Sequence, residues 1–193
     1  MMAELCRLIL RYGIYAVNRL EWENRCNTAF NGVTRHKKEE KNVIKILFVC
    51  HGNICRSTMA EFVMKELVRQ AGRERDFYIA SAATSREEIG NDTHWGTKEK
   101  LREQGIPFTQ RKAVQLTKAD YRDYDYLIGF DDENDREIRR ICGGDPDHKV
   151  HRLLEFAGLQ RDVADPWYTG NFDQTYADVD LGCRALLQYL QRI

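Results

Sequence analysis

Val43-Ile44-Lys45-Ile46-Leu47-Phe48-Val49, followed by Cys50-His51-Gly52-Asn53-Ile54-Cys55-Arg56-Ser57, is the stretch that decides the fold of this 193-residue chain. Its first seven residues are almost all apolar and partly β-branched, which is the pattern of a buried strand. After Ser57 the period changes, with Met59, Phe62, Val63 and Leu67 recurring at helical spacing. A strand, a tight loop and a helix N-terminus therefore meet within one octet. The first N–H groups of a helix have no intrahelical partners, and the helix dipole favours negative charge, so the junction is a natural anion site.

Each residue type in the octet suits that chemistry. Cys50 opens the loop and Arg56 closes it. A thiol attacks poorly unless ionised, and a helix N-terminus with a nearby cation favours the ionised form of a cysteine. The Arg56 guanidinium is a planar fork that matches two oxygens of a phosphoryl group, and Ser57 offers a hydroxyl donor to a sulfur anion. Gly52 lets the backbone turn, and Asn53 tolerates a left-handed conformation. The loop N–H groups then face inward as a nest. The octet reads as a cradled oxyanion above a sulfur nucleophile, against the bland alternative of a strand-end cysteine beside an unrelated arginine.

Cys50-x-Gly52-Asn53-x-Cys55-Arg56-Ser57 resembles the phosphate loop of the low-molecular-weight protein tyrosine phosphatases, and the likeness continues through Met59-Ala60-Glu61. Thr58 stands where that family usually has proline, a change that the first turn of a helix accepts. A nucleotide-binding loop is excluded, since no Gly-Lys-Ser/Thr follows. The resemblance implies that Cys50 is the nucleophile, with His51, Gly52, Asn53, Ile54, Cys55, Arg56 and Ser57 around the phosphate. It also implies that Cys55 can form a reversible disulfide with Cys50; a small buried residue is the plain alternative.

A second motif, Asp165-Pro166-Trp167-Tyr168-Thr169-Gly170, lies far along the chain. Taken alone, Asp-Pro is a turn initiator. The resemblance makes Asp165 the general acid that protonates a departing phenolate, with Trp167 and Tyr168 lining a slot for an aryl group. The implied reaction is a two-step displacement through a cysteinyl phosphate, with Asp165 first acid and then base, and with no cofactor and no metal. Further positions follow the family pattern. Ser81 matches a serine that bonds the loop asparagine, here Asn53. Glu87, followed by Glu88, stands in a variable loop (85–91) where relatives often carry an aromatic, with Trp167 expected on the opposite wall. Two carboxylates there would favour basic residues beside a phosphotyrosine, unless the segment is only a solvated charged loop. Arg111 stands where many relatives have histidine, and it is expected to form a replacement ion pair with Asp131.

Composition agrees. Thirty Lys and Arg balance thirty Asp and Glu, so no global field argues for nucleic acid. Six cysteines are scattered without a disulfide framework or zinc spacing, and five histidines show no ligand pattern. That usage suggests a reducing cytoplasm. Strand and helix signals alternate: strands at 43–49, 76–81, 126–130 and 149–153, and helices after Ser57, at 93–104, 133–141 and 172–190. The expected fold is α/β, a single three-layer domain with a central four-stranded parallel sheet flanked by helices, and the phosphate loop between the first strand and first helix. The last helix should send Val179, Cys183, Leu186, Leu187 and Leu190 to the core.

Domain organisation divides at residue 42. Residues 43–193 form the domain that the resemblance covers, and residues 1–42 stand outside it. Leu5, Leu8, Ile9, Tyr12 and Leu20, with Arg7, Arg11 and Arg19 between them, read as a basic amphipathic helix ahead of a polar linker at 31–42. A start codon assigned too early explains the same stretch. No span crosses a membrane, although surface association through this helix is open. The expected partner is a phosphotyrosine-containing protein substrate, acted on by a cytoplasmic monomer. Three functional readings stand: a phosphotyrosine phosphatase; a phosphoarginine phosphatase or arsenate reductase on the same fold; and a phosphate-binding module without turnover. Ile54, where phosphoarginine enzymes tend to carry threonine, favours an aryl substrate. Intact Cys50, Arg56 and Asp165 disfavour the module.

Overall fold

A computed structural model describes residues 43–192; residues 1–42, and with them the amphipathic-helix and linker readings, lie outside the described residues. Four strands make one parallel sheet in the order β2-β1-β3-β4: β1 Ile44–Cys50, β2 Phe77–Ala83, β3 Tyr126–Gly129 and β4 Val150–Arg152. The helices are α1 Arg56–Gln70, α2 Trp95–Glu103, α3 Lys118–Asp123, α4 Asp132–Cys142, α5 Pro166–Thr169 and α6 Phe172–Leu190. This is the three-layer α/β arrangement that the alternation of signals implies.

Strand β1 sits in the middle of the sheet and is buried on both faces, which explains its unbroken apolar run. Its parity divides the core. Ile46, Phe48 and Cys50 face a cluster with Met59 and Val63 of α1 and Val179 and Leu186 of α6. Leu47 and Val49 face the other way, against Leu127, Ile138 and Cys142. Because side chains alternate along a strand, Cys50 is carried by the same register that buries Phe48. Complete burial of a side chain such as Phe48 or Met59 is worth roughly 1.5–3 kcal/mol, so the register of β1 is strongly fixed.

Boundaries moved where short-range chemistry overrides periodicity. Strand β1 runs through Cys50 rather than stopping at Val49, so the cysteine is its last residue. Strand β4 gives way at Leu153 to a 3-10 turn, Leu153–Ala157, which packs under α6. The contact is close: a Cβ on Gly182 of α6 would stand 2.5 Å from Leu153 Cγ, so only glycine fits. Helix α3 buries none of its residues, so hydrophobic spacing gave no sign of it. The five apolar residues expected in the core from α6 are all buried.

Candidate active site

The carboxyl end of β1 delivers Cys50 to the base of a loop that turns directly into α1. Cys50 is only 3% exposed, and its Sγ lies 3.0 Å from Ser57 Oγ. Asn53 is at φ 57, the left-handed conformation that asparagine tolerates. Gly52 has no such φ; a Cβ there would lie 3.1 Å from Glu88 Cγ, so the glycine admits a neighbouring side chain rather than a special turn. Helix α1 begins after Cys55 with no side-chain cap, whereas α2, α4, α5 and α6 are capped by His94, Asp131, Asp165 and Asn171. The first-turn N–H groups of α1 are thus not taken up by a capping side chain.

Beneath the loop, hydrogen-bond direction can be followed atom by atom. Asn53 Nδ2 donates to Ser57 Oγ at 2.9 Å and to Ser81 Oγ at 2.8 Å. Ser81 Oγ donates onward to Glu61 Oε2 at 2.6 Å. Asn53 Oδ1 accepts from Arg111 Nη2 at 3.0 Å and from the Val114 N–H at 3.2 Å, which fixes the amide orientation. Ser57 Oγ thus accepts from Asn53 and from the Cys50 thiol, and its own hydrogen is free to turn to Sγ once the sulfur is ionised. Such a chain of aligned donors stabilises a sulfur anion more than one isolated bond.

Arg56 closes the floor, also 3% exposed. Its Nη1 donates to Asp131 Oδ2 at 2.5 Å and to the Val163 carbonyl at 3.2 Å, and its Nη2 donates to Asp165 Oδ2 at 2.5 Å. Its Nε is buried with no partner among the described residues. Burial works against the guanidinium charge, but the negative charges of Cys50, Asp165 and Asp131 outweigh it and raise its pKa. Asp165 uses its other oxygen to accept from the Trp167 N–H at 3.0 Å, capping α5 with Pro166 at its first position.

A small cavity of about 90 Å³ opens above the sulfur. Cys50, His51, Gly52, Ile54, Cys55, Glu87, Glu88, Asp165, Trp167 and Tyr168 line it, so most of the candidate residues meet at one place. Asn53, Arg56, Ser57 and Ser81 lie in the buried network behind it. Trp167 and Tyr168 are 57% and 83% exposed, and His51 Nε2 lies 3.1 Å from Glu87 Oε2. Cys55 is a free thiol pushed up to about 12 by burial, then by the charges of Cys50 and Asp165, so it stays protonated. Cys142 lines the opposite face of the sheet and Cys183 is sealed in the core; neither reaches the cavity.

One expectation fails. Arg111 does not pair with Asp131. Its guanidinium holds Asn53, the Ser81 carbonyl at 3.3 Å and the Glu61 carboxylate at 3.7 Å, while Asp131 is the partner of Arg56. The cause is topological: Asp131 caps α4 through the Asn134 N–H and so sits at the end of β3, on the Arg56 side of the loop. What motif reading missed is the role of two residues it named: Asp131 as the partner of Arg56, and Glu61 as the acceptor beneath Ser81. An aspartate three positions before Asn134, right after an apolar strand, was a legible cap signal; Glu61 carried none beyond its place on α1.

Comparison with known proteins gives a consistent picture. The family model "Low molecular weight phosphotyrosine protein phosphatase" matches residues 45–193. The low molecular weight protein-tyrosine-phosphatase YfkJ of Bacillus subtilis is 40% identical over 152 residues, covering 78% of this chain and 97% of that protein. Its crystal structure matches with a TM-score of 0.75, covering 78% of this chain and 96% of that one. The low molecular weight protein tyrosine phosphatase SP-PTP from Streptococcus pyogenes matches at 38% identity and a TM-score of 0.68, over 78% of this chain and 93% of that one.

Proposed function

The chain belongs to the low-molecular-weight phosphotyrosine protein phosphatase family, and from that premise we propose that it hydrolyses phosphotyrosine in polypeptides through a phosphocysteine at Cys50. The observation that carries this reading is the buried, partnerless Arg56 Nε on the same loop floor as the Cys50 sulfur. A buried N–H of a charged group without an acceptor is costly, and a phosphoryl oxygen is the acceptor that a guanidinium fork beside a nucleophile is shaped to take.

The reaction proceeds in two displacements. Cys50 Sγ attacks phosphorus as the bond to the tyrosyl oxygen breaks, and Arg56 with the loop N–H groups holds the equatorial oxygens. Asp165 protonates the departing oxygen. To do so its carboxyl must turn from Arg56 Nη2, where it sits at 2.5 Å, toward the cavity that it also lines. A phosphoryl oxygen taking that guanidinium edge in its place supports such a turn. Asp131 remains on Nη1 and keeps the fork aligned. Water then attacks the phosphocysteine, Asp165 accepts its proton, and the sulfur leaves as the anion that Ser57 stabilises.

The lining of the cleft supports an aryl substrate: Ile54 and Cys55 of the loop and the rings of Trp167 and Tyr168 supply apolar surface around the sulfur. A thiol-relay reaction lacks support, because Cys142 and Cys183 are buried away from the cavity. Among the described residues no helix is long and apolar enough to cross a membrane. A reducing compartment suits an enzyme whose nucleophile must stay a thiol.

Cys50→Ser is the direct test. Turnover of a phosphotyrosine peptide and of a small aryl phosphate should fall by about 10⁴-fold or more, since losing a nucleophile removes the covalent route altogether. Full activity in that variant overturns the mechanism and the family role assigned to Cys50.

A further inference from the structure

Apart from Arg56, buried behind the floor, no lysine or arginine among the described residues stands at the cavity above Cys50, yet two carboxylates line it, Glu87 and Glu88. Neither is matched by a permanent cation among the described residues. Glu87 Oε2 faces the His51 imidazole at 3.1 Å, a partner that is charged only when protonated. Glu88 Oε2 accepts from the neutral Asn91 amide at 2.7 Å. The basic groups nearby in the sequence are engaged elsewhere: Arg86 Nε donates to Gln115 at 3.2 Å, Lys98 pairs with Asp92 at 2.7 Å, and Lys100 bonds Glu103 and Asp173.

The two carboxylates differ in freedom. The Glu87 side chain is 74% exposed and can follow a ligand. The Glu88 stem lies against the phosphate loop at Gly52, so its charge is held beside the nest. The exposed rings of Trp167 and Tyr168 line the same cavity. A ring face attracts cations, as a carboxylate does. The carboxylates and the rings at the mouth therefore favour the same kind of neighbour, while the floor, with Arg56 and the first-turn N–H groups, takes the phosphoryl dianion.

We propose that Glu87 and Glu88 are specificity-determining residues that select phosphotyrosine flanked by lysine or arginine and reject acidic flanks. This rests on the phosphotyrosine reading above. The dianion enters first and carries its chain neighbours to the lip. A flanking lysine or arginine then meets two carboxylates and two ring faces, and a flanking glutamate meets like charge. The preference acts at the mouth and so appears in kcat/KM between peptides, not in the turnover of a small aryl phosphate.

The experiment uses the full chain and two phosphotyrosine peptides that differ only in carrying lysine or glutamate on either side of the phosphotyrosine. At about 50 mM salt the basic peptide should have about tenfold higher kcat/KM, falling toward twofold at about 500 mM as the surface charges are screened. The Glu87→Gln/Glu88→Gln double variant should bring the ratio near twofold at low salt. The ratio is internal to each preparation, so a loss of folded enzyme does not imitate the result. Equal rates in the unaltered enzyme, or a preference for the acidic peptide, overturn the inference and leave the phosphatase reading standing. A preference that survives both salt and the double variant overturns the assignment to Glu87 and Glu88. Failure to hydrolyse either peptide or the small aryl phosphate overturns the phosphatase reading itself.

Discussion

Asn53, Ser57, Ser81, Glu61 and Arg111 interlock under the phosphate loop, each bonded to at least one other and all withdrawn from solvent. At the mouth of the same cleft Glu87, Trp167 and Tyr168 stand largely exposed, with an imidazole and the edge of His94 as their neighbours. The floor is a coupled network in a low-dielectric setting, where one lost donor disturbs several others. The mouth is a set of nearly independent contacts. Floor changes should therefore act mainly on kcat, and mouth changes on KM and on the choice between substrates.

After the loss of the nucleophile itself, the largest expected effect is at the junction of the two regions. Asp165→Asn keeps an oxygen to accept from the Trp167 N–H, so α5 should stay capped. Removing the acid should lower kcat by about 10²–10³-fold for phosphotyrosine. The loss should be much smaller for an aryl phosphate whose phenolate leaves without a proton. Steady-state rates on a series of aryl phosphates of differing phenol acidity check this. Equal losses across the series would mean that Asp165 acts by aligning Arg56, and would move it from acid to floor.

Ser57→Ala tests the floor proper. It deletes the hydroxyl that bridges Asn53 and Cys50. We expect kcat to fall by about 10–10²-fold with KM within about twofold, because one preorganised donor to the reacting anion is lost. An Asn53→Ala change in the same background should then cost less than it does alone, since both act through one chain. Full additivity would break the picture of a coupled floor. Trp167→Ala is the counterpart at the mouth, where KM for aryl substrates should rise about 5–10-fold and kcat change by less than about threefold. A collapse of kcat there would erase the distinction.

The contrast also explains what could be read from the sequence. The floor motif was legible because a strand end, a loop and a helix start are contiguous from Ile44 to Gln70, and each residue type has one obvious use. The sheet was legible because strand and helix signals alternate along the chain, even though β4 is only Val150-His151-Arg152, and Ser81 was found through its likeness to a family position. The partners of Arg56 and Arg111 were not. They depend on which strand end each loop leaves, and that is fixed by the sheet order β2-β1-β3-β4 rather than by spacing along the chain. Asp131 arrives from β3 beside Arg56, whereas Arg111 arrives beyond β2, beside Asn53 and Ser81. Helix α3 and the 3-10 turns escaped for a different reason: α3 buries no side chain, and the turns are too short to leave a periodic trace even where Leu153 and Leu154 are buried.

Asp135 belongs to neither region and sharpens the boundary between floor and fold. It lies in the first turn of α4, the helix that Asp131 caps, and its Oδ1 is buried with no partner among the described residues. Burial raises its carboxyl from the ordinary 3.8 to about 6; Arg139 and Arg152 pull it down, and Glu155 and Asp132 push it up. A carboxyl that holds its proton more tightly folded than unfolded stabilises the fold fully below the unfolded value and loses that contribution as pH rises through about 6. Above that pH the charge is a burden, on the order of 1 kcal/mol once partial exposure is allowed for. Asp135→Asn should therefore raise stability by about that amount near pH 7.5 and by almost nothing near pH 4, read from denaturant midpoints at both. The pH–rate profile should not move, because the side chain touches neither Arg56 nor Cys50. A shifted profile would mean that the first turn of α4 reaches the chemistry through Asp131, and the floor would then extend one helical turn beyond the residues that hold the sulfur.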